Sequence, residues 1–385
     1  MKRILIACVA VAALAVPGAA ISAGHARTAA STYTVFLGEQ GQPPPAVVKL
    51  KLFGGMNQFM PSKLVIAAGD KVTFSSGSFH SVTYNPKPIP LFMPDPKKGT
   101  YAGLADAAGN PFYFADLGKF IYNPAAFGPF GPKTISGSTP VSSGAMGPQG
   151  PKAPPANATY TFPKAGTYHL FCTLHPGMKA TVVVKPAGSA VPKTPDQVKA
   201  ETLAQETAGY AKGIALSRTK VAAPNTVVMG VGSNVALLQY FPKVLKVKAG
   251  TTVNFVNKSS SEVHNIVFGP KAYLEQWGKK TDLQPQGPNS PNQVTPILPY
   301  GSDPKPLTYA GATTHGNGFF ATPLAAGAPI PGLPRSSRVK FSTPGTYKYF
   351  CWIHAFGPKT TLCTSLEDLV TNVTVAPALT FSTFG

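Results

Sequence analysis

The stretch FPKAGTYHLFCTLHPGMKATVVV, Phe162–Val184, carries Cys172, His175 and Met178 at intervals of three, between two runs of alternating apolar residues. Alternation with period two is the signature of a strand with one buried face. If Cys172 points inward, Leu170 and Tyr168 do so too, while Phe171 and His169 point outward. His169 is therefore expected at the surface. The cysteine ends an inward-facing strand, the two-residue gap turns the histidine back towards it, and the methionine closes from the next position of the loop.

The surrounding chain is written twice. The first copy has FMPSKLVIAAGDKVTF (Phe59 to Phe74), then His80 in SFHSVTY, a long Gly/Pro-rich passage, and the stretch above. The second has YFPKVLKVKAGTTVNF (Tyr240 to Phe255), His264 in EVHNIVF, another long passage, FSTPGTYKYFCWIHAFG (Phe341 to Gly357) and VTNVTV (Val370 to Val375). From His80 to Cys172 is 92 positions and from His264 to Cys351 is 87, a match in order and spacing that marks a duplication. Lys348 replaces His169 on the outward face, in keeping with solvent there. Runs such as LVIAAGDKVTF and VLKVKAGTTVNF, broken at Ala-Gly turns, read as antiparallel strands of a sandwich or barrel.

His80, Cys172, His175 and Met178 offer two imidazoles, a thiolate and a thioether, the donor set of a blue-copper centre: a trigonal His2Cys arrangement with a weak axial methionine. At these residues both copies resemble the cupredoxins, the plastocyanin, amicyanin and pseudoazurin family. The tight Cys-x-x-His-x-x-Met loop is most similar to that of amicyanin. The resemblance implies an all-β chain of two tandem Greek-key barrels or sandwiches with long loop inserts, and one-electron transfer at a type 1 copper cycling between Cu(I) and Cu(II). It assigns His80, Cys172, His175 and Met178 as ligands in the first copy and His264, Cys351 and His354 in the second. One or two copper ions per chain are expected.

The second copy has Gly357 where the first has Met178. Three readings stand open: copper held by the three strong ligands at a raised reduction potential; a Cys351–Cys363 disulfide that leaves a degenerate, structural domain; and Cys363 as a fourth ligand. A copper buffer or delivery protein without redox work is the alternative to electron transfer. Enzymes built from tandem cupredoxins, the multicopper oxidases and copper nitrite reductases, need extra histidines for a second kind of copper centre. Beyond His80, His175, His264 and His354 only His25, His169 and His315 remain, there is no His-x-His pair, and Phe171 and Phe350 precede the cysteines. The expectation is therefore that the chain is not an enzyme and has no catalytic residues.

Residues 1–26 combine Lys2 and Arg3, an apolar run and small residues ending near Ala23–Ala26, the form of a cleaved secretory signal. No later segment approaches a transmembrane length. The expected divisions are a cupredoxin domain over 31–186, a linker with a short helix over 187–222, and a second cupredoxin domain over 223–377. The helix is placed at about Pro195–Lys212, capped by Thr194. Periplasmic or extracellular residence follows, where an odd set of mature cysteines (Cys172, Cys351, Cys363) suggests thiols kept for a purpose other than pairing. Losing Lys2 and Arg3 from 34 basic residues leaves 32 against 14 acidic ones. Such a surface favours an acidic redox partner protein or an anionic envelope surface. Nucleic acid is not expected as a partner.

Overall fold

The computed structural model describes residues 29–376 apart from 42, 53, 85–86, 88, 96–119, 148–155, 269–311, 316–319, 331–332 and 357–370. Residues 1–26, expected to be a signal, as well as Gly357 and Cys363, thus lie outside the described residues. Among the described residues the fold is all-β apart from one long helix and short helical turns. No described helix is long and apolar enough to cross a membrane.

Among the described residues each copy is built on two main sheets, with a two-stranded ribbon beside them. In the first, one sheet runs in the order Asn157–Thr161, Lys71–Ser76, Thr32–Leu37, Phe59–Met60, and the other Lys63–Ala67, Lys179–Lys185, Gly166–Phe171, Thr83–Tyr84, Val141–Ser142. The second copy repeats both: Ser336–Phe341, Thr252–Ser259, Thr226–Gly232 and Val235–Phe241 form the first sheet, while Val244–Lys248, Thr371–Ala376, Gly345–Phe350 and Val267–Phe268 form the second. Inward residues Tyr168, Leu170 and Cys172 are buried in one core; Tyr349 and Cys351 take the same places in the other, with Tyr347 packed at its edge. His169 and Lys348 are exposed, as the alternation requires.

The Ala-Gly turns correct one expectation. Lys63–Ala67 and Lys71–Ser76 do not pair as an antiparallel hairpin; each lies parallel to another strand in a different sheet, Lys179–Lys185 and Thr32–Leu37 respectively. Val244–Lys248 and Thr252–Ser259 behave likewise. The reason is local. Gly69 has φ +99° and Gly250 φ +86°, left-handed values that swing the chain from one sheet to the other. The buried Asp70 carboxylate then locks the first corner by accepting the N–H groups of Ala67 (2.9 Å) and Ser31 (2.8 Å).

The halves are interlocked. Gly54–Met56, from the first copy, completes the edge of the second copy's sheet against Val235–Phe241, and Trp352 and Leu324 are buried within the first copy's apolar cluster. The long helix, Pro195–Leu216, starts where Thr194 and Pro195 place it; Gln197 completes a capping box with Thr194. It runs past Lys212 because Gly209 and Gly213 do not end it. Gly209 lets it approach the strands closely, since a Cβ there would stand 2.5 Å from Met56 Sδ, whereas one on Gly213 would make an ordinary contact with Val235 at 3.8 Å. Thr202 Oγ1 donates to the Met60 carbonyl at 3.0 Å. The helix is thus a packed strut against both halves.

Candidate metal centres

In the first copy His80 is held by two backbone hydrogen bonds with Met146, from the end of the long passage (3.1 and 2.7 Å). Cys172 ends the strand Gly166–Phe171, and its N–H donates to the Met178 carbonyl at 3.0 Å, closing the loop that carries His175. Three ligand atoms converge: His80 Nδ1 is 3.0 Å from His175 Nδ1, which is 3.6 Å from Cys172 Sγ. Met178 is buried in the same cluster. Burial opposes a charged sulfur, but His175 and His80 outweigh it and hold the Cys172 thiol well below its ordinary pKa.

The second copy rebuilds this arrangement. His264 pairs in strand register with Ala325, Cys351 ends the strand Gly345–Phe350, and His354 follows on the helical turn Trp352–Phe356. The donor atoms of His264, Cys351 and His354 lie within 4.8 Å of one another, as do those of His80, Cys172 and His175. The ring centroids of the paired histidines are 4.5 Å apart here and 4.7 Å in the first copy. Against burial, His354 and His264 lower the Cys351 pKa well below its ordinary value. The His354 pKa moves the other way, to about 10: burial opposes the imidazolium, but Cys351 and Glu262 favour it more strongly. Cys351 is a free cysteine in the structure, and the alternatives that involve Cys363 lie outside the described residues.

Several supporting residues were not singled out from the sequence. The residue after each strand histidine ties the cysteine loop down. Ser81 N–H donates to Cys172 Sγ at 3.3 Å and its Oγ accepts the Thr173 N–H at 2.9 Å, while Asn265 Oδ1 accepts the Trp352 N–H at 2.9 Å and lies 3.6 Å from Cys351 Sγ. Behind each strand histidine stands a glycine of positive φ: a Cβ on Gly38 would meet His80 Nε2 at 2.6 Å, and one on Gly230 would meet His264 Nε2 at 2.4 Å. Tyr240 takes the place of Phe59, donating to the Asn265 carbonyl at 2.7 Å; burial first, then Cys351, raises its pKa well above the usual phenol.

The two centres face one carboxylate. Glu262, whose side chain is 12% exposed, puts Oε1 3.6 Å from His175 Nε2 and Oε2 3.4 Å from His354 Nε2, and Oε1 accepts from Asn57 Nδ2 at 2.6 Å. Although burial would raise it, the charges of His175 and His354 bring the Glu262 pKa down to about 2.

The donor sets fit copper on the structure's own terms. Each is a buried cysteine sulfur with two imidazoles, and both ring nitrogens of His264 are buried without a hydrogen-bond partner, a costly state that a metal would relieve.

No protein-family model matches the chain, and no curated protein does. Among solved structures it is similar to a purple cupredoxin from Nitrosopumilus maritimus (18% identity, covering 39% of this chain and 98% of that one, TM-score 0.19). It is also similar to the plastocyanin of Dryopteris crassirhizoma (15% identity, 40% of this chain and 99% of that one, TM-score 0.19). A third similar structure is the copper-containing nitrite reductase of Thermus scotoductus SA-01 (14% identity, 90% of this chain and 68% of that one, TM-score 0.20). The cupredoxin resemblance read in the sequence is met again in these structures. The expectation that the chain is not an enzyme is corrected: the nitrite reductase, an enzyme, aligns over 90% of it. That expectation rested on the few histidines left over, the lack of a His-x-His pair, and Phe171 and Phe350 ahead of the cysteines.

Proposed function

We propose that the protein binds copper at both His-Cys-His centres and takes part in one-electron transfer. The observation that carries this reading is the repeated buried triad in which the donor atoms of two imidazoles and a cysteine sulfur lie within 4.8 Å of one another. His80, Cys172 and His175 would hold one ion, with Met178 as the weak fourth donor; His264, Cys351 and His354 would hold the other without one. Copper supplies the Cu(I)/Cu(II) couple. The chain's own residues do the rest. Ser81 and Asn265 fix the cysteine loops, Gly38 and Gly230 leave room for the strand histidines, and the packed cores keep the donors in place as charge changes, so little reorganisation accompanies each electron.

Lacking a methionine donor, the second centre is expected to have the higher reduction potential. The protein is proposed to be exported after loss of residues 1–26. An acidic redox partner protein or an anionic envelope surface would be drawn to the basic excess of the mature chain.

Copper stoichiometry measured together with the visible spectrum tests the reading. Two ions per chain and an intense thiolate-to-Cu(II) band, lost in a Cys172→Ser, Cys351→Ser double variant, are expected. Copper that binds without colour would overturn it.

A further inference from the structure

We propose that Glu262 is a positioning residue shared by the two centres, through which the charge held at one sets the reduction potential of the other. This rests on copper occupying both centres as proposed above. The geometry is specific. The ring nitrogens of His80 and His175 that face Cys172 are Nδ1, which leaves His175 Nε2 to point away, across the seam between the two halves, at Glu262 Oε1. His354 Nε2 points at the other oxygen of the same carboxylate. A ligating imidazole whose second nitrogen donates to a carboxylate is fixed in orientation and made a stronger donor. Here one carboxylate serves two such imidazoles.

The contacts, 3.6 and 3.4 Å, are both longer than a charge-assisted hydrogen bond of about 2.7–2.9 Å. Glu262 therefore has room to tighten on one histidine at the expense of the other. It cannot leave the seam: Asn57 Nδ2, from the first half, holds Oε1 at 2.6 Å, and Asn57 Nδ2 also reaches Ser261 Oγ at 2.9 Å. The more positively charged centre draws the carboxylate towards its histidine. The opposite centre, losing that support, is then less stable in its oxidised form and holds its electron more tightly. Each centre accepts or releases one electron, and no bond forms or breaks. The sign follows: oxidation of one centre raises the potential of the other.

The test compares the two macroscopic potentials of the copper-loaded full chain with the single-centre potentials of the Cys351→Ser and Cys172→Ser variants, then repeats the set with Glu262→Gln. In the native chain the separation of the two potentials should exceed the difference between the single-centre values by an interaction factor of about 5- to 150-fold, the usual range for coupled sites. With Glu262→Gln, which keeps the size but removes the charge and one acceptor, the factor should fall towards unity while both centres still take up copper. Glu262→Asp should retain part of it. An excess that survives Glu262→Gln means direct charge repulsion between the centres and overturns the proposal; so does the absence of any excess in the native chain. A third copper ion that disappears with Glu262→Gln would also overturn it, since the carboxylate would then be a ligand. Fewer than two ions on the native chain would bring down the two-centre reading itself.

Discussion

Replacing Gly38 by alanine should weaken copper binding at the first centre through a contact that no ligand makes. The residue has φ +68°, a left-handed conformation that costs a residue with a Cβ about 1–2 kcal/mol. The added methyl would lie 2.5 Å from Ser78 Oγ and 2.6 Å from His80 Nε2, so the neighbours must withdraw by most of an ångström. Overpacking of this kind costs about 1–3 kcal/mol more. His80 is 1% exposed and its ring has little space to retreat except towards Cys172 and His175. Displacing a metal-binding imidazole from behind is expected to lower affinity about 10- to 100-fold. Gly69→Ala is the control: its φ is +99°, yet its Cβ would meet nothing within 4 Å. That variant should lose only the backbone term in urea unfolding and bind copper as the native chain does. Gly230→Ala and Gly250→Ala form the same pair in the second copy. Copper titration of the four variants decides the matter. Native affinity in Gly38→Ala, or an equal loss in Gly69→Ala, would refute the argument that the glycine makes room for the histidine.

Other outcomes are equally direct. Met178→Leu should raise the potential of the first centre and narrow its gap to the second, as read by redox titration, because the axial donor stabilises Cu(II). Asp70→Ala strands the Ala67 and Ser31 N–H groups in a buried corner and should cost about 3 kcal/mol in urea unfolding of the copper-free protein, with a lowered midpoint and an unchanged slope. Thr194→Ala removes the acceptor for the Gln197 N–H and should cost about 1 kcal/mol in the same assay. Electron exchange with an acidic protein should slow by at least about tenfold between low and high salt, whereas a rate insensitive to ionic strength would detach the basic surface from partner choice.

The two His-Cys-His groups were legible because copper chemistry demands particular atoms at short spacing, and the strand pattern showed which faces they share. Cys172, His175 and Cys351, His354 announce themselves locally, and the duplication identified the distant His80 and His264. What stayed hidden is made by contacts between remote segments. An Ala-Gly turn looks the same in a hairpin and in a corner between sheets; only the reach of Asp70 back to Ser31 distinguishes them. Gly209 has no special look within the helix, yet it serves close packing against Met56. Gly38, Gly230 and Glu262 have ordinary neighbours in sequence and acquire meaning only when His80, His264, His175 and His354 are set beside them. A small clue was present for Ser81 and Asn265, a hydrogen-bonding residue directly after each strand histidine, but nothing in one chain says where such a side chain points.

The strand Gly54–Met56 has a further consequence. It belongs to one copy and finishes the sheet of the other, while Trp352 of the second copy sits in the cluster of the first. Expressed alone, the second copy would present the open backbone of Val235–Phe241 as a template for other chains and would also carry a bare indole at Trp352. The duplication can thus be seen in the text of the chain but cannot be undone with scissors: two paragraphs were copied, and the binding that now holds them together is stitched through both.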